Sequence, residues 1–189
     1  PEPIMLSGVT DPYQTAERKF GITRECLQVA WETRQPVQLI TKNSLICRDI
    51  DLLTKLAAKG LVNVTLSITS LDQNLIKLME PRTSSPKARF TAIGQLAAAG
   101  IPVNINTAPI IPGLNDSEIP ALLEMAKEHG ATSASYILLR LPYSVKEVFL
   151  DWVDERFPEK RSVIESRIRA TSNDRLNRIE FGNRMSGEG

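Results

Sequence analysis

The sequence is poor in the residues that announce most chemistries. Its 189 residues include two cysteines, Cys26 and Cys47, and one histidine, His129. The cysteines lie 21 positions apart (47 − 26), so they have no metal-ligand spacing, and with one histidine no metal-binding cluster can be assembled here. They read as reduced thiols of a cytoplasmic protein. Cys26 reads as a small buried apolar group on a helix, and His129 as a cap in the last turn of one. Net charge is only +1, which gives no sign of a nucleic-acid or membrane surface. No apolar run reaches membrane-spanning length and no signal peptide is visible. What remains, 42% apolar and 24% charged residues, is ordinary for a globular chain with a sizeable core. The chain begins with Pro1 rather than Met, and is expected to be a piece of a longer protein.

Five segments predict strands: Ile4 to Val9, Val37 to Thr41, Val62 to Ser70, Pro102 to Thr107 and Ala134 to Leu141. Helical patterns lie between them. Ile46, Ile50, Leu53 and Ala57 form a stripe ended by Gly60. Phe90, Ile93, Leu96 and Ala97 form one ended by Gly100. Ile119, Leu122, Leu123 and Ala126 form one ended by Gly130, with Ser117 as the expected N-cap. Residues 14–34 predict a helix with a break at Gly21. This alternation implies a parallel sheet with right-handed crossovers. Links from helix to strand are brief ("KGLV", "AGIP", "HGAT"). Links from strand to helix are longer and polar ("GVTDPYQ", "TKNSLICR", "APIIPGLND"). In parallel α/β folds function gathers at the carboxyl ends of the strands, where those links begin.

The strands alternate. Val64, Leu66 and Ile68 oppose Thr65, Ser67 and Thr69, while Val103 and Ile105 oppose Asn104 and Asn106. A parallel strand covered on both faces is nearly all apolar, so two readings stand: a barrel with a polar, hydrated interior, or an antiparallel sheet with one wet face. The intervening helices favour the first. After Pro142, Val145, Val148, Phe149 and Trp152 predict one amphipathic helix, and Val163, Ile164, Arg167 and Ile168 a second. Residues 1–145 are expected to form the barrel, and 146–189 a helical C-terminal extension and tail.

"SGVTDPYQTAE", "LITKN", "MEPRTSSPKARFTAIGQLAAAGIPV", "APIIPGLND" and "LRLP" together resemble the core of radical S-adenosylmethionine (SAM) enzymes. The branch is the spore photoproduct lyase-like, or DNA repair photolyase-like, one. The resemblance implies an α/β fold: a partial (β/α)6 TIM-type barrel, here missing its first strand. It implies SAM and a [4Fe-4S] cluster as cofactors, with the cluster held by C-x3-C-x2-C. That motif is absent here, so no metal ligand is assigned and the cluster segment is expected before Pro1. The expected reaction is reductive cleavage of SAM to a 5′-deoxyadenosyl radical in a lyase- or repair-like process on nucleic acid. The electron donor would be of the flavodoxin or ferredoxin kind, with no membrane partner. The fragment alone is expected to be inactive.

The resemblance also implies site residues. Gly8, Thr10 and Asp11 end the first strand of this chain, where SAM's amino group binds; equally, Asp11 and Pro12 suit a turn and a helix cap. Lys42 suits the SAM carboxylate. Ser67, Thr69 and Ser70 suit its ribose or carboxylate, or reflect plain strand propensity. Asn106 and the turn with Gly113 and Asp116 match the fifth-strand motif, with Ile110 or Ile111 near adenine. Arg140 and Leu141 match the segment that meets adenine through backbone atoms. Tyr13, Arg82 and Tyr143 are substrate candidates, with Tyr13 and Tyr143 better suited to packing near their loop ends and Arg82 alternatively pairing with Glu80. No catalytic residue is named. Two other functions remain in play: an aldolase-like barrel using Lys42 as a Schiff base, and a nucleic-acid-binding module using Arg175, Arg178 and Arg184.

Overall fold

A computed structural model describes residues 1–7 and 10–171. Gly8, Arg175, Arg178 and Arg184 therefore lie outside the described residues. Five strands, β1 (Ile4–Leu6), β2 (Val37–Thr41), β3 (Val62–Ser67), β4 (Val103–Ile110) and β5 (Ser133–Leu138), lie side by side in chain order. The first four are parallel, with Ile4 opposite Val37, Val37 opposite Val62, and Val64 opposite Val103. Between and after them run α1 (Glu17–Phe20), α2 (Ile22–Thr33), α3 (Ile50–Ala57), α4 (Gln73–Met79), α5 (Pro86–Ala98), α6 (Ile119–Glu128), α7 (Val145–Arg156) and α8 (Arg161–Thr171). The parallel α/β expectation holds, and the antiparallel alternative falls. None of the described helices is long and apolar enough to cross a membrane.

Several boundaries differ from the sequence pattern. β1 stops at Leu6 instead of Val9. β4 runs on to Ile110, and β5 ends at Leu138, before Leu141. Gly21 does break the first helical stretch: its φ of +64° is left-handed backbone that glycine adopts cheaply. The helix α4 was not expected. It is a single short run, "QNLIKLM", started by Asp72, whose side chain accepts from Asn74 N at 2.8 Å. Ser117 is not the cap of α6. A 3₁₀ turn over Asp116–Glu118 precedes that helix and makes Glu118 the capping residue. Cys26 is exposed, because α2 buries Thr23, Leu27 and Ala30 and Cys26 sits one position off that stripe. His129 does cap α6, with Nδ1 2.8 Å from Met125 O.

The described chain forms two compact units. The first comprises Pro1–Thr107 and Glu118–Tyr136. One face of its sheet carries Leu39, Val64, Leu66, Val103 and Ile105, all buried in a cluster with Leu27, Leu53, Phe90, Ile93, Leu96 and Leu122 from the helices. The opposite face carries Gln38, Asn63, Thr65, Asn104 and Asn106, of which only Asn106 is fully buried. It is tied laterally by side chains: Asn104 Nδ2 donates to Asn63 Oδ1, Ser133 Oγ to Asn104 Oδ1, and Ser135 Oγ to Asn106 Oδ1. The expected polar face is thus present in the first unit.

Of the described residues, the second unit comprises 108–117 and 137–171. Within it Asp116 closes the 111–116 turn, accepting from Gly113 N at 2.9 Å and from Arg167 Nη1 at 3.0 Å. A Cβ on Gly113 would meet α8 at 3.4 Å, and its φ is +89°, so this turn requires glycine.

In the first unit an ionic latch holds α2 to the segment before α3. Buried Glu17 accepts from Arg48 Nη2 at 2.7 Å and Thr23 N at 3.0 Å, and buried Asp49 accepts from Arg48 and Arg24. Arg24 also grips Asp51 with two bonds, at 2.8 and 2.7 Å. Burial alone would raise the Glu17 pKa; the bonds from Arg48 and from the Thr23 and Arg24 amides override it and hold it low. Hydrogen bonds from Arg24 hold Asp51 at about 2.

Two outcomes follow for stability. Leu66→Ala should cost about 2–5 kcal/mol in a urea titration, because Leu66 is fully buried at the centre of the cluster. Acid should unfold the chain through the latch. Both carboxyl groups are lowered by folding, so their contribution is complete above the unfolded values of about 4. It is lost as pH falls from there toward about 2. Urea midpoints measured down that range should fall, and Arg24→Met should flatten the fall.

Candidate functional site

The loop after β1 is fixed by Asp11. Its Oδ1 accepts from Tyr13 N at 2.8 Å and Thr41 Oγ1 at 2.7 Å, and its Oδ2 from Lys42 N at 2.7 Å. The carboxylate therefore both shapes its own turn and staples that turn to the carboxyl end of β2. A carboxylate has about four acceptor sites; the three filled here leave capacity on Oδ2. Thr10 beside it is exposed. Of the two readings of Tyr13, packing holds and the substrate cleft does not. The residue is 0% exposed, and the loop bearing it is anchored by Thr23 Oγ1 donating to Pro12 O at 2.5 Å. Burial, and then the negative charge of Asp49, push the Tyr13 hydroxyl pKa far up. It stays a protonated part of the core.

Lys42 leaves the end of β2 and meets a network that its sequence neighbours do not reveal. Its Nζ donates to Glu80 Oε1. Thr69 Oγ1 donates to the same oxygen at 2.6 Å, and Arg89 Nη2 to Glu80 Oε2 at 2.7 Å. Arg89 is 0% exposed and spends its other donors on Ser84 O at 2.8 Å, Ser67 O at 2.7 Å and Thr83 Oγ1. Burial alone would raise the Glu80 pKa; the charges of Lys42 and Arg89, with the bonds from Lys42 and Thr69, hold it below the usual carboxylate value. Removing one member of such a buried pair typically costs about 3–5 kcal/mol, because the other charge is left uncompensated.

The local sequence explains how these groups meet. The segment "EPRTSSP" folds onto the end of β2: Ser84 N donates to Lys42 O at 3.3 Å, and Ser44 N donates to Ser84 Oγ at 2.9 Å. Ser85 then caps α5, with Pro86 in its first turn. On α5, Arg89 lies in line with the buried Pro86, Ile93 and Leu96, so the stripe that packs the helix also delivers a guanidinium to the strand ends. That alignment was the sequence signal for Arg89. Its charge disguised it as a surface residue. Glu80 is committed to Lys42 and Arg89 rather than Arg82, and Arg82 is exposed.

Other candidates fall as follows. Ser67, Thr69 and Ser70 are buried at and just beyond the carboxyl end of β3, and buried Asn106 lies within β4, opposite Ser67. Ser70 Oγ and Leu71 N both donate to Glu118, at 2.7 and 2.6 Å, which fixes the chain leaving β3. The first unit thus brings Asp11, Lys42, Ser67 and Thr69 to the carboxyl ends of adjacent strands, with Asn106 of β4 level with Ser67. In the second unit Arg140 is exposed, Leu141 buried, and Tyr143 73% exposed with a left-handed φ of +50°.

The site suits an amino-acid-bearing ligand better than a metal. Lys42 provides a cation for a carboxylate, and hydroxyl and carboxamide groups surround it. Among the described residues no three His, Cys, Asp or Glu side chains group together as metal ligands. Cys26 is exposed on α2, and Cys47 lies half-buried in the 3₁₀ segment Ser44–Asp49. These residues do not fit an iron–sulfur cluster.

An uncharacterized protein of Mycobacterium tuberculosis, Rv2578c, is 31% identical over 160 residues, which is 84% of this chain and 47% of that one. An uncharacterized protein of Methanocaldococcus jannaschii, MJ0683, is 29% identical over 87% of this chain and 60% of its own length. GTP 3′,8-cyclase of Chlorobaculum tepidum is 26% identical over 69% of this chain and 35% of its own. The chain therefore spans about half the length of the first of these relatives. Among solved structures, spore photoproduct lyase with bound AdoMet and dinucleoside spore photoproduct superposes with a TM-score of 0.61. It is 20% identical, over 85% of this chain and 47% of that one. That likeness establishes the fold as the radical SAM type of partial α/β barrel. The Radical SAM superfamily matches residues 3–126, from before β1 to within α6, and the chain belongs to that superfamily.

Proposed function

We propose that this chain is the SAM-binding core of a radical SAM enzyme whose cluster ligands lie outside these 189 residues. Superfamily membership implies SAM and a [4Fe-4S] cluster. The chemistry they supply when bound is one-electron cleavage of SAM, giving a 5′-deoxyadenosyl radical that takes hydrogen from the substrate. The observation that carries the reading is the superfamily match across β1–β4, with Lys42 presented at the carboxyl end of β2.

In this reading the chain's residues bind and orient. The Lys42 ammonium takes the SAM carboxylate as a charge-assisted partner. The spare acceptor capacity of Asp11, beside Thr10, receives the SAM ammonium. Ser67, Thr69 and Asn106 offer neutral hydrogen bonds to the ribose or carboxylate. The likeness to a lyase that binds a dinucleoside photoproduct supports a nucleic-acid substrate and a lyase- or repair-like reaction. A flavodoxin- or ferredoxin-like donor and a cytoplasmic setting belong to the same proposal. The Schiff-base alternative has less support. Lys42 Nζ is held as an ion-pair donor to Glu80, whereas Schiff-base formation needs a free amine lone pair.

The test uses the full-length protein, reconstituted anaerobically with iron and sulfide and supplied with a reductant. It should convert SAM to methionine and 5′-deoxyadenosine. Lys42→Met should cut that yield by about tenfold or more, the usual loss for a charged hydrogen bond. A protein with an intact cluster that never cleaves SAM would overturn the proposal.

A further inference from the structure

The network behind Lys42 is more elaborate than charge balance requires. Arg89 is fully buried and its donors are distributed over Ser67 O, Ser84 O, Thr83 Oγ1 and Glu80 Oε2. It is held in place by the packing of α5. Glu80 is in turn fixed through both oxygens, by Arg89 on Oε2 and by Thr69 on Oε1. Lys42 is the group through which this trio meets solvent: its side chain is 29% exposed, against 7% for Glu80 and 0% for Arg89. Two cations and one anion leave one positive charge in excess. Because the Arg89 guanidinium is fully buried and makes four hydrogen bonds to the protein, that excess is offered at the Lys42 ammonium.

A lysine otherwise places its ammonium on a freely rotating four-carbon stem, and a ligand that captures it must order that stem. We infer that Glu80 is a positioning residue: anchored by Arg89 and Thr69, it holds the Lys42 ammonium ready at the strand ends for the carboxylate of an amino-acid-bearing ligand. This rests on the reading of Lys42 as the carboxylate-holding group. The geometry also makes partner exchange tolerable. When Lys42 turns toward a ligand, Glu80 keeps Arg89 and Thr69, so no buried carboxylate is orphaned.

The experiment uses the 189-residue chain labelled with ¹⁵N-lysine. The wild-type chain should show a slowly exchanging side-chain ammonium signal, assigned to Lys42 by its loss in Lys42→Met. Glu80→Gln should abolish that signal. Glu80→Asp keeps the counter-charge for Arg89 but is one methylene shorter, so it should abolish the signal with the fold intact. If Glu80→Gln does not fold, Glu80→Asp decides. S-adenosylhomocysteine titrations should show about tenfold weaker binding in each Glu80 variant. In Lys42→Met the loss should be as large, and adding Glu80→Asp to it should cost nothing more.

A wild-type chain without the protected signal, or a Glu80→Asp chain that keeps it, overturns the inference. Additive losses in the double variant do so too, because Glu80 would then act without Lys42. If Lys42→Met binds the probe as well as wild type, the Lys42 reading of the site fails instead. In that event the ammonium signal still shows whether Glu80 holds Lys42.

Discussion

One buried carboxylate organises the strand ends of the first unit. Glu80 is nearly inaccessible, and water cannot stabilise its charge; it stays ionised because Lys42, Thr69 and Arg89 all point at it. The four residues come from four separate places: the ends of β2 and β3, the segment after α4, and the inward stripe of α5. Glu80 and Arg89 must arrive in register, since displacing either leaves the other's buried charge uncompensated. The network is therefore both a lock on the fold and the scaffold of the proposed site. Asp11 plays a smaller version of the same part, joining the β1 loop to β2 through Thr41 and the Lys42 amide.

The sheet supports this by having two different faces. Leu39, Val64, Leu66, Val103 and Ile105 face the helices and supply the hydrophobic stabilisation. Asn63, Thr65, Asn104 and Asn106 face the other way, and the three asparagines are linked across strands by amide and hydroxyl bonds. A parallel sheet covered on both faces has no use for such residues. A sheet that keeps a polar face for a ligand does, and that is the role the proposed function gives it.

Much of this is visible in the sequence because it depends on local rules. The order of strands, the brief returns and the long polar exits can be read directly. So can the helix stops at Gly60, Gly100 and Gly130, because each takes a left-handed φ. The motifs resembling radical SAM enzymes also follow chain order. The Glu80 network is different in kind. Residues 42, 80 and 89 are brought together only by strand register and by the fold of the intervening loop, which no local pattern encodes. Arg89 looks like a surface residue because buried arginines are rare; its place on the apolar stripe of α5 was the contrary sign. Tyr13 admits a cleft reading because it follows a loop, but the Glu17–Arg48–Asp49 latch draws that loop inward. The helix α4 is short enough that its apolar run passes for part of a long connection.

The account stands or falls on where an amino-acid-bearing adenosyl ligand docks. Amide chemical-shift mapping of the chain with S-adenosylhomocysteine reads this directly. The account predicts that the large shifts cluster at residues 10–11, Lys42, 67–70 and Asn106. Shifts confined to the helix side of the sheet, or none at all at ligand concentrations that saturate a weak site, would contradict it.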